Sequence, residues 1–176
     1  MGDFMKKMKL IWKILIGLLA AFLVWNLVWF GYTQIKYAPY KEAVGYDEQR
    51  KKWYFRDEDD YVFGVGSPSY LSFTGNLSIT QTWNISNDGK ILNESICDMI
   101  IWPLMNGEYE YGICISEITE DGEGMLTNEF ILDSKMQPIE VLTDEQQKLL
   151  DENAEQIAEI FQKAKKMWPE LPIIDG

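Results

Sequence analysis

The stretch "NLSITQTWNISNDGKILNESICDMIIWPLMNGEYEYGICISEI", Asn76 to Ile118, decides the fold. Its first part places Leu77, Ile79, Trp83 and Ile85 on one side with polar residues between them, the period-two pattern of a half-buried strand. Asp88-Gly89 is a strong hairpin signal, and Ile91 to Trp102 reads as the returning strand. Asn106-Gly107 marks a second turn, after which Tyr109, Tyr111, Ile113 and Ile115 share a face. Strands joined in this way by tight turns form an antiparallel meander.

The pattern extends downstream. "EDGEG" at 120–124 predicts a third turn and "MLTNEFILD" a further strand. A turn at Asp133 to Lys135 leaves "MQPIEVL" as a short last strand. The chain then switches to helical spacing. Thr143 with Gln146 forms a capping box, and Asp144 and Glu145 suit the positive end of the helix. Leu150, Ala154, Ile157, Phe161, Ala164 and Trp168 make one continuous apolar stripe, with Glu159 on the opposite face. Lys163, Lys165 and Lys166 favour the last turns, and Pro169 ends the helix. A single stripe needs one surface to cover, so the expected class is α+β, a meander with this C-terminal helix packed on it. That layout resembles the cystatin-like and PepSY-like α+β domains, a likeness of layout that transfers no function.

Upstream, alternation begins at Tyr61, after the polar run "RDEDD" of residues 56–60. Pro39 is expected to stop any helix entering from the N-terminal side. Tyr40 to Trp53 then reads as a short amphipathic helix, weakened by Gly45. The expected division is a terminus over 1–9, a membrane span over 10–32, a juxtamembrane helix or linker over 33–60, and an extracytoplasmic domain over 61–176.

The span is "LIWKILIGLLAAFLVWNLVWFGY", Leu10 to Tyr32, interrupted only by Lys13 and Asn26. A helix this long crosses a hydrocarbon core of roughly 30 Å. A cleaved signal has a shorter apolar core, of roughly 7 to 15 residues, and a small-residue cleavage site, whereas this run ends in Trp25, Asn26, Trp29, Phe30 and Tyr32. Trp12 at one end and Trp25, Trp29 and Tyr32 toward the other suit the two interfaces as membrane-anchoring aromatics. Lys6, Lys7, Lys9 and Lys13 outweigh Asp3, which by the positive-inside rule places the N-terminus in the cytoplasm and the C-terminal domain outside the cell membrane.

Charge bears on partners. The chain carries 16 basic and 28 acidic residues, and removing Asp3 and the four early lysines leaves 12 and 27. A domain this acidic repels nucleic acid and anionic lipid surfaces and attracts cations or basic peptides. The lack of histidine removes Ser-His-Asp and Cys-His catalysis and histidine metal sites. "FGVGSPS", residues 63–69, lacks the third glycine and the basic residue of a phosphate loop. No catalytic, cofactor-binding or metal-binding constellation emerges, and no cofactor is expected.

Several features remain as candidates. With a two-residue loop at Asn106-Gly107, Cys97 faces Ser116 and Cys114 faces Met99, so the two cysteines share a face as diagonal neighbours. In an oxidising exterior they are a possible disulfide. Asp57, Glu58, Asp59 and Asp60 could offer oxygen ligands to a hard cation, though without the spacing of a known loop. Asn76, Asn84 and Asn93 begin Asn-x-Ser sequons, and the aromatic faces suit carbohydrate or peptide.

Two functions follow. The first is a membrane-anchored, non-catalytic binding or accessory module of the cell envelope, whose partners are the bilayer through 10–32 and an envelope protein or peptide. The alternative is a small envelope hydrolase using paired carboxylates, of which no two are singled out.

Overall fold

The computed structural model describes residues 2–84, 95–119 and 125–174. The Asp88-Gly89 and 120–124 turns, Ile85, Ile91 and the Asn93 sequon lie outside them. The chain divides into two compact units, Met1–Ala38 and Pro39–Gly176.

The first unit is one helix. It belongs to α1, which runs Gly2–Val44. From Lys7 onward the helix is long and apolar enough to cross a membrane, and none of its most apolar window is buried. Two of its polar side chains bond back to the helix: the Asn26 amide donates to the Phe22 carbonyl at 2.6 Å, and the Thr33 hydroxyl to that of Trp29 at 2.8 Å. Such bonds satisfy polar groups that an apolar surrounding would leave without partners.

α1 continues through Pro39 and stops five residues later, contrary to the expected break. A proline in a helix removes one N–H and leaves the carbonyl four residues earlier unpaired, here that of exposed Ile35. Tyr40 and Val44, both buried, hold the last turn against the domain and offset that loss. The stop falls at Gly45, whose φ of +75° is the left-handed conformation of a helix C-cap. Its N–H returns to the Lys41 carbonyl at 2.9 Å.

The second unit holds a seven-stranded sheet in sequential order: β1 (Tyr46–Asp47), β2 (Lys52–Arg56), β3 (Tyr61–Gly66), β4 (Asn76–Gln81), β5 (Ser95–Pro103), β6 (Tyr109–Ile118) and β7 (Met125–Leu132). Every neighbouring pair is antiparallel. The protein is therefore α+β, as the meander implied. The sheet begins fifteen residues earlier than the alternation from Tyr61 suggested, because the helix expected over Tyr40 to Trp53 stops at Val44, where α1 ends. Asp47 Oδ1 accepts the N–H groups of Gln49 and Arg50 at 2.8 and 2.9 Å, folding residues 47–52 into a turn that returns Trp53 beside Tyr46. Residues 33–60 thus contain the end of α1 and two strands. Trp83 falls beyond the end of β4, and "MQPIEVL" contributes only a bridge, Leu132 to Pro138.

Two helices cover one face, α2 (Asp144–Glu152) and α3 (Ala154–Met167). The capping box forms: Thr143 Oγ1 accepts the Gln146 N–H at 3.2 Å, and the Gln146 side chain accepts the Thr143 N–H at 3.0 Å. The expected single helix is interrupted at Asn153. Asn153 is buried, donates to the Leu149 carbonyl at 2.9 Å and accepts from Ser95 Oγ on β5 at 3.0 Å. It takes the inward place assigned to Ala154, which is exposed. The rest of the stripe is buried as the spacing implied: Leu150, Ile157, Phe161, Ala164 and Trp168, joined by Ile160. Phe161 tilts over Tyr111 at 5.2 Å between ring centroids, and Trp168 meets Phe63 edge-on at 5.9 Å.

Candidate functional site

The helices do not reach the β1–β2 end of the sheet. Trp53 and Phe55 pair with Val65 and Phe63, so all four side chains point to the covered face. Phe63 is buried there, while Phe55 keeps 41% of its surface exposed because no helix lies above it. The result is an open cleft of about 1070 Å³ between α3 and β2. Ala43, Phe55, Phe63 and Met167 form its apolar part, and Arg56, Glu58, Glu159 and Lys166 stand among its polar residues.

One edge is closed by charge. Lys163 Nζ donates to Asp57 Oδ2 and Asp59 Oδ2, each at 2.8 Å, and lies 4.4 Å from the Tyr61 ring centroid. Lys163 and Asp57 keep only 14% and 20% of their side-chain surface, whereas Asp59 keeps 73%. Burial pushes the Asp57 carboxyl up, but the Lys163 ammonium and the N–H groups of Tyr61 and Asp59 together hold it below the usual carboxylate range. Burial likewise pushes Lys163 down, and its two carboxylate partners more than restore it, leaving its affinity for the proton raised. The Tyr61 hydroxyl is pushed up by burial and then by the Glu159 carboxylate that it hydrogen-bonds. Glu159 therefore faces the cleft and not the opposite side of the helix.

The acidic run thus serves a turn and a lysine. Asp57 Oδ1 accepts the N–H groups of Asp59 and Tyr61, and Asp60 pairs with Arg56 at 2.9 Å. No group of three metal-ligating side chains occurs among the described residues. Lys163, whose place in the last turns of the helix suits the dipole, instead neutralises the acidic run. Its place beside Ala164 on the stripe's flank was the available signal.

The cysteines are a correction. Pro103 pairs with Tyr109, so the β5–β6 connection has five residues and not two. The register moves by one: Cys97 faces Ile115, and Cys114 faces Asp98. A one-residue shift turns a side chain to the other face. Cys97 lies buried under the helices and Cys114 half-buried on the far face, both as free thiols. On opposite faces of the sheet they are not the diagonal neighbours that a two-residue loop implied. Burial, with a smaller effect of Asp98, pushes the Cys97 thiol up to about 12, which leaves it an inert core residue.

The far face holds a carboxyl whose affinity for the proton is raised. Burial pushes Asp98 up to about 6, only partly countered by the Gln81 N–H that it accepts at 2.9 Å. Cys114 lies opposite it, and Glu129 lies opposite Cys114 on the next strand. Among the aromatic anchors, Trp12 and Trp25 are exposed, while Trp29 and Tyr32 are half-buried. Asn76 begins β4 and Asn84 is exposed.

An α+β domain following a helix long enough to cross a membrane is the class that these features define. Compared with protein-family models, curated proteins and solved structures, the chain matches none.

Proposed function

We propose that this is a single-pass membrane protein whose domain acts outside the cytoplasm as a non-catalytic binding or accessory module of the cell envelope. The observation that carries this reading is the pairing of an unburied apolar helix with a cleft whose apolar floor is open and whose charges are largely paired among themselves. The lysines before the apolar run favour a cytoplasmic N-terminus. Phe55 and Phe63 suit an apolar side chain of a protein or peptide partner, and the acidic rim favours a basic one. The charge pairing also argues against the hydrolase. A general acid of a carboxylate pair needs its affinity for the proton raised, whereas that of Asp57 is lowered.

The test uses the full chain in its native membrane. A reporter active only outside the cytoplasm, fused after Ile174, should be active, and a photo-crosslinking residue at Phe55 should capture a protein neighbour that Phe55→Glu no longer co-purifies. Recovery of a soluble, N-terminally processed species would remove the anchor.

A further inference from the structure

The two edges of the sheet differ. β1 has two residues, whereas β7 has eight. The direction of the β7 backbone groups follows from its neighbour. The Ile131 carbonyl accepts the Ile139 N–H at 3.0 Å, and the Asp133 N–H donates to Gln137 at 2.8 Å. The odd-numbered residues therefore turn their N–H and C=O away from β6, and the even-numbered ones toward it. Ile139 covers Ile131. The outward groups of Met125, Thr127 and Glu129 have no partner among the described residues. The side chains of Met125 and Leu126 are 58% and 56% exposed, and Ile139 and Val141, just beyond the covered part, are 59% and 101% exposed. A bare strand edge flanked by exposed apolar side chains is a template for another strand.

The geometry points to a second copy of this chain as the occupant: β7 pairs antiparallel with β7 of a partner copy about a twofold axis at Thr127. In that register Thr127 faces the partner copy's Thr127, and Met125 faces the partner copy's Glu129. The three outward residues of each copy are then used in full, and none is left over. Ile131 and Ile139 stay outside the pairing. Opposed threonines are a favourable cross-strand pair. Glu129, the strand's only charged residue, meets Met125 and not another carboxylate. A net charge of −12 per chain opposes approach, and salt screens that repulsion. The interface is isologous and closed, so it ends at a dimer and builds no fibre.

Disulfide trapping of the full chain in detergent micelles tests this. Cys114→Ser removes the half-buried native thiol, and buried Cys97 stays. Opposed residues with facing backbone groups have Cα atoms about 5.5 Å apart, inside disulfide range. Met125→Cys and Glu129→Cys would each lie four residues from their own copies, about 14 Å away. Thr127→Cys should therefore cross-link at least ten times faster than either, and faster at high salt. Thr127→Pro removes an outward N–H and the hydroxyl that meets Ser116 Oγ at 3.0 Å, leaves the backbone ladder to β6 intact, and should abolish co-purification of differently tagged copies, which Thr127→Val, lacking the same hydroxyl, should keep. Equal rates at the three positions, or no Thr127→Cys dimer despite labelling by a soluble maleimide, would overturn the register. Cross-linking of Thr127→Cys in native membranes to a different protein alone would overturn the second copy as occupant.

Discussion

Lys163 on α3 and Asp57 at the β2–β3 turn are 106 positions apart and joined at 2.8 Å, with little solvent on either side chain. Removing one member of such a pair leaves the other charge desolvated and uncompensated. Lys163→Ala should lower stability by about 1 to 3 kcal/mol, the upper bound reduced because Asp59 remains in water. Lys163→Met, which keeps the stem over Tyr61, should lose less. The sign with pH follows. The Asp57 carboxyl is held below its ordinary value, so its contribution is present above the unfolded value near 3.8 and is lost as pH falls through the lower folded one. Lys163 is raised, so its contribution is present below about 10.5 and fades above that. Chemical denaturation from pH 3 to 8 should show an acid loss that Lys163→Ala reduces.

Asp98 works in the opposite sense. Its folded carboxyl titrates at about 6 against an ordinary 3.8, so the folded state binds the extra proton between those values. Stability attributable to this group therefore falls as pH rises from about 4 to 6, and the penalty is complete above that. A shift of this size is worth at most about 3 kcal/mol, less at a site that solvent partly screens. Asp98→Asn keeps an oxygen for the Gln81 N–H and removes the charge. Its unfolding midpoint should exceed the parent's at pH 7.5 and match it at pH 4. An equal difference at both pH values would assign the effect to packing.

Helix packing supplies the third expectation. Phe161 is 1% exposed and lies on Tyr111, so Phe161→Ala should cost about 3 to 5 kcal/mol through lost transfer energy and a cavity. Glu155, exposed on α3, is the neutral comparison, because Glu159 bonds Tyr61. Glu155→Ala should move the midpoint by less than about 0.5 kcal/mol. Differential unfolding of the two variants decides whether the stripe carries the domain.

How far the sequence carried the fold depends on the range of the signal. The stripe from Leu150 to Trp168 was legible because helical spacing is local and long. The Thr143 box was legible for the same reason. The break at Asn153 was not, since it depends on Ser95, 58 positions away. Turn residues marked the β5–β6 hairpin, but the dipeptide Asn106-Gly107 does not state loop length. A shift of one residue in register reversed the face of Cys114. In "SICDMIIW" both faces are partly apolar, so alternation could not choose between Cys97 and Asp98 as the inward residue. Pro39 misled because a local penalty of about 3 kcal/mol is smaller than the burial that Tyr40 and Val44 gain together. The cleft was invisible for a different reason: it exists where the helices end short of the sheet, a relation between two lengths. Of the candidate site residues, the acidic run was seen without the lysine that neutralises it.

The far face of the sheet gives the last expectation. Trp102 and Gly112 stand on adjacent strands, two residues out of register, with Ile100 paired to Gly112 and Trp102 to Glu110. A Cβ added at Gly112 would come within 2.7 Å of the Trp102 ring and 3.6 Å of the Ile100 carbonyl. The indole therefore lies over the space that a side chain would fill, covering the backbone as an aromatic does beside a strand glycine. The ring is rigid, so relief requires the whole side chain to swing outward and expose apolar surface. Gly112→Ala should lower stability by about 1 to 3 kcal/mol even though alanine is the better strand former, as overpacking does. Trp102→Ala alone should also be destabilising, by uncovering Gly112 and Ile100. The two changes together should cost less than their sum, because the methyl group then enters space that the ring has left. The measurement is a double-mutant cycle by denaturant unfolding of the four chains, with tryptophan emission following the ring in the Gly112→Ala variant. Simple additivity within about 0.5 kcal/mol would mean that the ring moves aside freely and that glycine at 112 has another cause.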